Sequence, residues 1–160
     1  MTKIDGLGPD ALTAAVEPIR LLLVEDDPGD VLITREALEQ SKLIHHLDVV
    51  ENGEEAMAYL RHEGRFSDAI APHLVLLDLN LPRKDGKEVL AEVKGDPNLS
   101  HIPVIVLTTS DAEIDVIDTY QLHANAFITK PVDFERFHDV IRRIDDFFLT
   151  VVRLPNRSGG

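Results

Sequence analysis

Four short apolar runs in this 160-residue chain each end in residues that can do chemistry. Ile19–Val24 runs into Glu25-Asp26-Asp27, and Leu74–Leu77 into Asp78-Leu79-Asn80-Leu81-Pro82. Val104–Leu107 runs into Thr108-Thr109-Ser110, and the weaker Ala126–Ile128 into Thr129-Lys130-Pro131. If these ends meet, carboxylates, a hydroxyl and an ammonium share one rim. Crowded carboxylates repel, and in low dielectric they either take up a proton or require a cation. Oxygen donors in a chain without Cys suit a hard divalent ion, Mg²⁺ above all. Such an ion is held by one or two carboxylates plus a phosphate, which leaves one carboxylate free as a nucleophile. Lys130 offers a point charge to a phosphate oxygen, and Thr108 a hydrogen-bond donor to another. The set fits a site that accepts a phosphoryl group on Asp78 as an acyl phosphate.

The runs are continuous rather than alternating, as suits strands buried on both faces of a parallel sheet. Leu47–Val50 is weaker, carries Asp48 and reads as an edge strand. Between the strands lie stretches of helical pattern. Pro28–Ser41 has Asp27 as N-cap, Pro28 at the first helical position and Asp30 in the first turn. Glu54–His62 follows the Asn52-Gly53 turn signal, Lys87–Lys94 follows Asp85-Gly86, and Ala112–Gln121 follows Ser110 as N-cap. A last helix opens at Asp133 and extends to about Val152. Five strands alternating with five helices predict a (βα)₅ doubly wound parallel sheet. In such a sheet the working residues lie beyond the carboxyl ends of the strands, where strand order reverses.

Length and composition narrow the function. One domain of ordinary size fits, and 44% apolar residues suffice for one core. Residues 1–18 read as a loose leader, 19–154 as the domain with a C-terminal extension, and 155–160 as a polar tail. The lack of Cys excludes disulfides, thiolate metal sites and a Cys nucleophile. A net charge of −13 argues against nucleic acid or an anionic membrane as partner. No apolar run approaches a membrane span of about 18 residues, and no signal segment is visible, so a cytoplasmic domain is expected.

The motifs, taken in order, resemble the receiver domain of two-component response regulators over about residues 19–150. Glu25-Asp26 matches the acidic pair after strand one, and Asp78 the phosphoacceptor ending strand three. Asn80 matches the residue whose main-chain carbonyl binds the metal, and Leu81-Pro82…Asp85-Gly86 the following loop. Thr108 matches the switch Thr or Ser, and Lys130-Pro131 the lysine with its cis-bonded proline. The resemblance implies the flavodoxin-like strand order 2-1-3-4-5. It also implies a sensor histidine kinase as phosphodonor and Mg²⁺ held by Asp26, Asp78 and the Asn80 carbonyl, with Glu25 acting through water. Thr108 and Lys130 would then draw toward the phosphoryl group and bias a two-state surface, with no turnover chemistry beyond self-catalysed phosphorylation and slow dephosphorylation. Phe127 departs from the pattern. It stands where many receivers carry a Tyr coupled to the switch residue, and it has no hydroxyl to use.

Plainer readings exist for each residue. Glu25-Asp26-Asp27 could be an acidic cluster at a helix N-terminus, which Asp27 fits best. Asp78 and Lys130 could be turn residues, Thr108 a strand end, and Phe127 a core aromatic. The seven His residues show no ligand spacing. Three other functions compete. An aspartyl-phosphate phosphohydrolase wants a titratable acid two residues after its nucleophile, where this chain has Asn80. A docking-only pseudo-receiver would not need the site residues, all of which are present. A nucleotide-binding module would want glycines after strand one, where Glu25-Asp26 would repel phosphate.

The last helix is long for the sheet it must cover. Phe134, Phe137, Ile141, Ile144, Phe148 and Val151 form a heptad-like seam, beside a second line of Val140, Phe147, Val151 and Leu154. A helix of about 20 residues is about 30 Å long, so its end is expected to project apolar surface. The expected cover is the same segment of a second copy, making a homodimer through Phe147, Phe148, Val151 and Leu154. The C-terminal run and the Leu79–Leu90 loop are similar to the stand-alone regulators paired with bacterial phytochromes, which implies a red-light-sensing kinase as partner.

Overall fold

The structure is a computed structural model and describes residues 18–41, 44–109, 112, 114–115, 117 and 122–143. Five strands form one parallel sheet in the order β2-β1-β3-β4-β5. They are β1 (Ile19–Val24), β2 (His45–Val50), β3 (Leu74–Asp78), β4 (Val104–Thr108) and β5 (Ala126–Thr129). The helices are α1 (Pro28–Ser41), α2 (Gly53–Leu60), α3 (Gly86–Gly95) and α4 (Phe134–Arg143). This is the doubly wound flavodoxin-like architecture, with order 2-1-3-4-5. Of the expected helix at 112–121, residues Ala112, Ile114, Asp115 and Ile117 are helical. The leader, the end of the last helix with Phe147, Phe148, Val151 and Leu154, and the tail lie outside the described residues.

Side chains alternate along each central strand between two cores. Leu22, Val24, Val75, Leu77, Val104 and Val106 face α2 and α3 through Met57, Leu60, Val89, Leu90 and Val93. Leu21, Leu23, Leu74, Leu76, Ile105 and Leu107 face α1 and α4 through Ala37, Leu38, Phe137 and Val140. Burial on both faces is why these runs are uninterrupted in the sequence. Among the described side chains of α4, Phe137 and Val140 are buried, one from each predicted line, while Phe134 is 37% exposed. Spacing of three on a helix turns Phe137 and Val140 onto one face.

The edge strand β2 is longer than expected and begins at His45. Its charged residues hide the pattern from sequence, but all six residues pair with Ile19–Val24. The Tyr59 hydroxyl on α2 donates to Asp48 Oδ2 at 2.5 Å, which satisfies the acid inside that strand. Among the described residues, no helix is long and apolar enough to cross a membrane.

Candidate functional site

Parallel strands present all their carboxyl ends at one rim, and the side chains there come from four separate segments. Glu25 follows β1 directly and is almost wholly buried, at 1% exposure. Its Oε2 accepts the Asp27 amide at 3.2 Å. Asp26, next along, is exposed. Asp78 is the last residue of β3, 3% exposed, and its Oδ1 accepts the Asn80 amide at 3.1 Å. Glu25, Asp26 and Asp78 each offer a carboxylate oxygen, and these oxygens lie within 4.8 Å of one another.

Lys130 balances this charge. Its Nζ lies 2.7 Å from Glu25 Oε1, 3.0 Å from Asp30 Oδ2 and 3.1 Å from Asp78 Oδ2. The lysine is held by its backbone as well, since its amide donates to the Thr108 carbonyl at 2.7 Å. The Lys130–Pro131 peptide is cis. Burial on its own would lower the Lys130 pKa, but the hydrogen bonds to Glu25 and Asp30 and the field of Asp78 overcome it and hold the ammonium above the ordinary lysine value. Burial pushes Glu25 up to about 7, helped by the charge of Asp78 and opposed by the bond to Lys130.

Thr108 closes the rim. It ends β4 beside Asp78, is fully buried, and its hydroxyl has no hydrogen-bond partner among the described residues. A buried hydroxyl left without a partner costs about 1–3 kcal/mol, so this atom suits an incoming acceptor. Phe127 lies in β5 and packs, half-buried, against the core.

The loop after β3 is braced from below. Asp85 caps α3 through a reciprocal capping box, its side chain accepting the Glu88 amide at 3.0 Å. Gly86 is pressed against the backbone of Asp78, and a Cβ there would overlap the Asp78 carbonyl oxygen. Gly53 likewise leaves room for the Lys84 carbonyl. Lys84 pairs with Glu92, which also meets Arg61 of the α2 C-cap. These contacts fix the loop that carries Asn80.

The structure therefore brings together Glu25, Asp26, Asp78, Asn80, Thr108 and Lys130. Asp30 was expected only to favour the helix N-terminus, yet it joins them across 100 residues of sequence. The only sequence signal for it is an acid in the first turn of a helix that starts at the rim. Three clustered carboxylates in a chain without Cys make a donor set suited to a hard divalent cation.

The family model for the response regulator receiver domain matches residues 21–142. Response regulator Rcp1 of Synechocystis sp. is 45% identical over 138 residues, covering 86% of this chain and 94% of its own length. The Mn²⁺-bound form of Rcp1 superposes with a TM-score of 0.68 at 45% identity, covering 86% of this chain and 99% of that one. The phosphorylated cyanobacterial phytochrome response regulator RcpA superposes with a TM-score of 0.69 at 46% identity, covering 87% and 99% of the two chains. With the sheet order, the acidic rim and the lysine that spans it, these matches make the chain a member of the response regulator receiver domain family.

Proposed function

We propose that Asp78 accepts a phosphoryl group from the phosphohistidine of a sensor histidine kinase of the phytochrome type. The protein would act in the cytoplasm beside that kinase. The observation that carries this reading is the placement of Asp78. It is buried at a strand end, with two carboxylates and the Lys130 ammonium around it, and the Thr108 hydroxyl, unpartnered among the described residues, ends the neighbouring strand.

A carboxylate oxygen of Asp78 attacks phosphorus as the N–P bond to the kinase histidine breaks, and the imidazole leaves with a proton from solvent. When bound, Mg²⁺ neutralises charge on the incoming group; Asp26, Asp78 and the Asn80 carbonyl would hold it, with Glu25 acting through water. Lys130 turns its ammonium toward one phosphoryl oxygen, and Thr108 donates its hydroxyl to another. About two negative charges have then arrived at one rim. Movement of Thr108 and Lys130 biases the surface that carries β5 and α4, which includes half-buried Phe127. The signal leaves through that surface, through a change in a homodimer made by Phe147, Phe148, Val151 and Leu154, or by onward transfer of the phosphoryl group. The Mn²⁺-bound and phosphorylated relatives support the metal and the phosphoryl group. The phytochrome association of RcpA supports the choice of kinase.

The test is acetyl phosphate with Mg²⁺, read by intact mass. Wild type gains one phosphoryl group and Asp78→Asn gains none. A modified Asp78→Asn protein, or a wild type left unmodified by a competent kinase, refutes the assignment. Faster transfer from a phytochrome kinase than from an unrelated histidine kinase is the expected result for the partner. Equal rates would remove the phytochrome pairing.

A further inference from the structure

Lys130 has one carboxylate partner that the phosphoryl-transfer scheme leaves unused. Asp30 lies in the first turn of α1 and accepts Lys130 Nζ at 3.0 Å. An ammonium carries three protons. Three carboxylates stand around this one, at 2.7 Å for Glu25, 3.0 Å for Asp30 and 3.1 Å for Asp78. Among the described residues the ammonium makes its hydrogen bond to Asp30 and meets Glu25 and Asp78 at ion-pair distance before any phosphoryl group arrives. A phosphoryl oxygen that needs Lys130 competes with these partners, Asp30 first among them.

The three partners differ in how they respond. Glu25 and Asp78 belong to the acidic group that could hold a cation, and Asp30 does not. Neutralising that group loosens the grip of Glu25 and Asp78 on Lys130 but leaves Asp30 with its full charge. Phosphorylation itself removes the negative charge of the Asp78 carboxylate. Asp30 then remains the competitor for the ammonium. Its side chain is 29% exposed, and it sits at a helix N-terminus, so it keeps water and a favourable dipole when Lys130 leaves. The contact is one that can be broken and remade.

Resting on the phosphoacceptor reading, we propose that Asp30 is a positioning residue that restrains Lys130 and so sets how strongly the phosphorylated form is favoured. Neutralising Asp30 frees the ammonium for the phosphoryl group. The raised pKa of Lys130 is consistent with this, because the ammonium stays charged whichever partner it takes.

The probe is trifluoroberyllate with Mg²⁺, which binds a carboxylate as a phosphoryl analogue. Its affinity is measured by calorimetry on wild type, Asp30→Asn, Lys130→Met and the double variant. Asp30→Ser repeats the test with a second neutral side chain, and thermal melting checks that each variant is folded. Asp30→Asn and Asp30→Ser are expected to bind roughly two- to tenfold more tightly than wild type, the range of a partly exposed ion pair. Lys130→Met binds more weakly, and adding Asp30→Asn to it changes nothing further, since the effect runs through the ammonium. Unchanged or weaker binding by both folded Asp30 variants overturns the inference. So does a gain that persists in the Lys130→Met background, which would mark a general field effect. In both cases wild type still binds the analogue, and the phosphoacceptor reading stands. A wild type that binds no analogue overturns that reading and this inference together.

Discussion

Replacing Lys130 by Met removes the cation that the buried rim is built around. Glu25 and Asp78 have side chains only 1% and 5% exposed, and both touch the ammonium. Breaking a buried pair by removing one partner costs about 3–5 kcal/mol, because a charge is stranded in low dielectric. Asp30 is 29% exposed and adds no more than about 1 kcal/mol. Met fills much of the volume of the lysine stem, so little packing is lost. The expected loss is about 3–4 kcal/mol at about pH 8 in chelator. The sign with pH follows from Glu25, whose pKa burial already lifts to about 7. A carboxyl group raised in the folded state stabilises below its unfolded pKa, and that stability is lost as pH rises through the folded value. Without the ammonium the Glu25 pKa rises further. The variant's deficit is therefore smaller at about pH 5, where a proton replaces the missing cation, at about 1–2 kcal/mol. Lys130 itself is raised, so its own contribution persists until strongly alkaline pH. Urea denaturation followed by circular dichroism, at both pH values in chelator, measures the difference. Mg²⁺ at about 100 times its Kd should restore up to about 2.7 kcal/mol. A deficit below about 1 kcal/mol at the higher pH, or one independent of pH, refutes the electrostatic account of the rim.

Gly86→Ala should cost more than about 2 kcal/mol and slow phosphorylation of Asp78, because a methyl group would displace that residue's backbone; denaturant titration and the time course of mass gain measure both. Asp85→Ala removes the side-chain half of the capping box, the bond from the Glu88 amide, and should cost about 1 kcal/mol, a fall of about 2–4 °C in melting temperature. Phe148→Glu should yield monomers on a sizing column while phosphorylation survives, whereas unaltered dimers would remove that segment from the interface.

Much of the rim was legible because parallel strands buried on both faces leave unbroken apolar runs, and each run points at its own C-terminal residue. Glu25, Asp78, Thr108 and Lys130 all stand at or just beyond those ends, and the structure brings them to one rim. Less visible was which member of the acidic pair turns inward. Glu25 is buried and Asp26 exposed, a difference set by the pleat at the end of β1 rather than by residue type. Asp30 was hidden for another reason. An acid in a first helical turn already has a sufficient local explanation in the helix dipole, and its partner lies 100 residues away. The start of β2 was hidden by His45, His46 and Asp48, whose polarity obscures a strand that pairs along its whole length. The α4 face was blurred because two overlapping heptad lines share it, and packing selected Phe137 with Val140.

The polarity of β2 has a consequence for how copies of this chain meet in concentrated solution. β2 is the outermost strand on its side of the sheet, and an edge strand offers backbone groups that another chain can pair with. His46 and Asp48 pair at 3.1 Å on one face of that margin, and Tyr59 fixes the acid. A foreign strand zipping onto this edge would have to bury those polar side chains. Exchanging both for Val would take the acceptor from the buried Tyr59 hydroxyl and remove the guard, turning this edge into a template for fibrillar association.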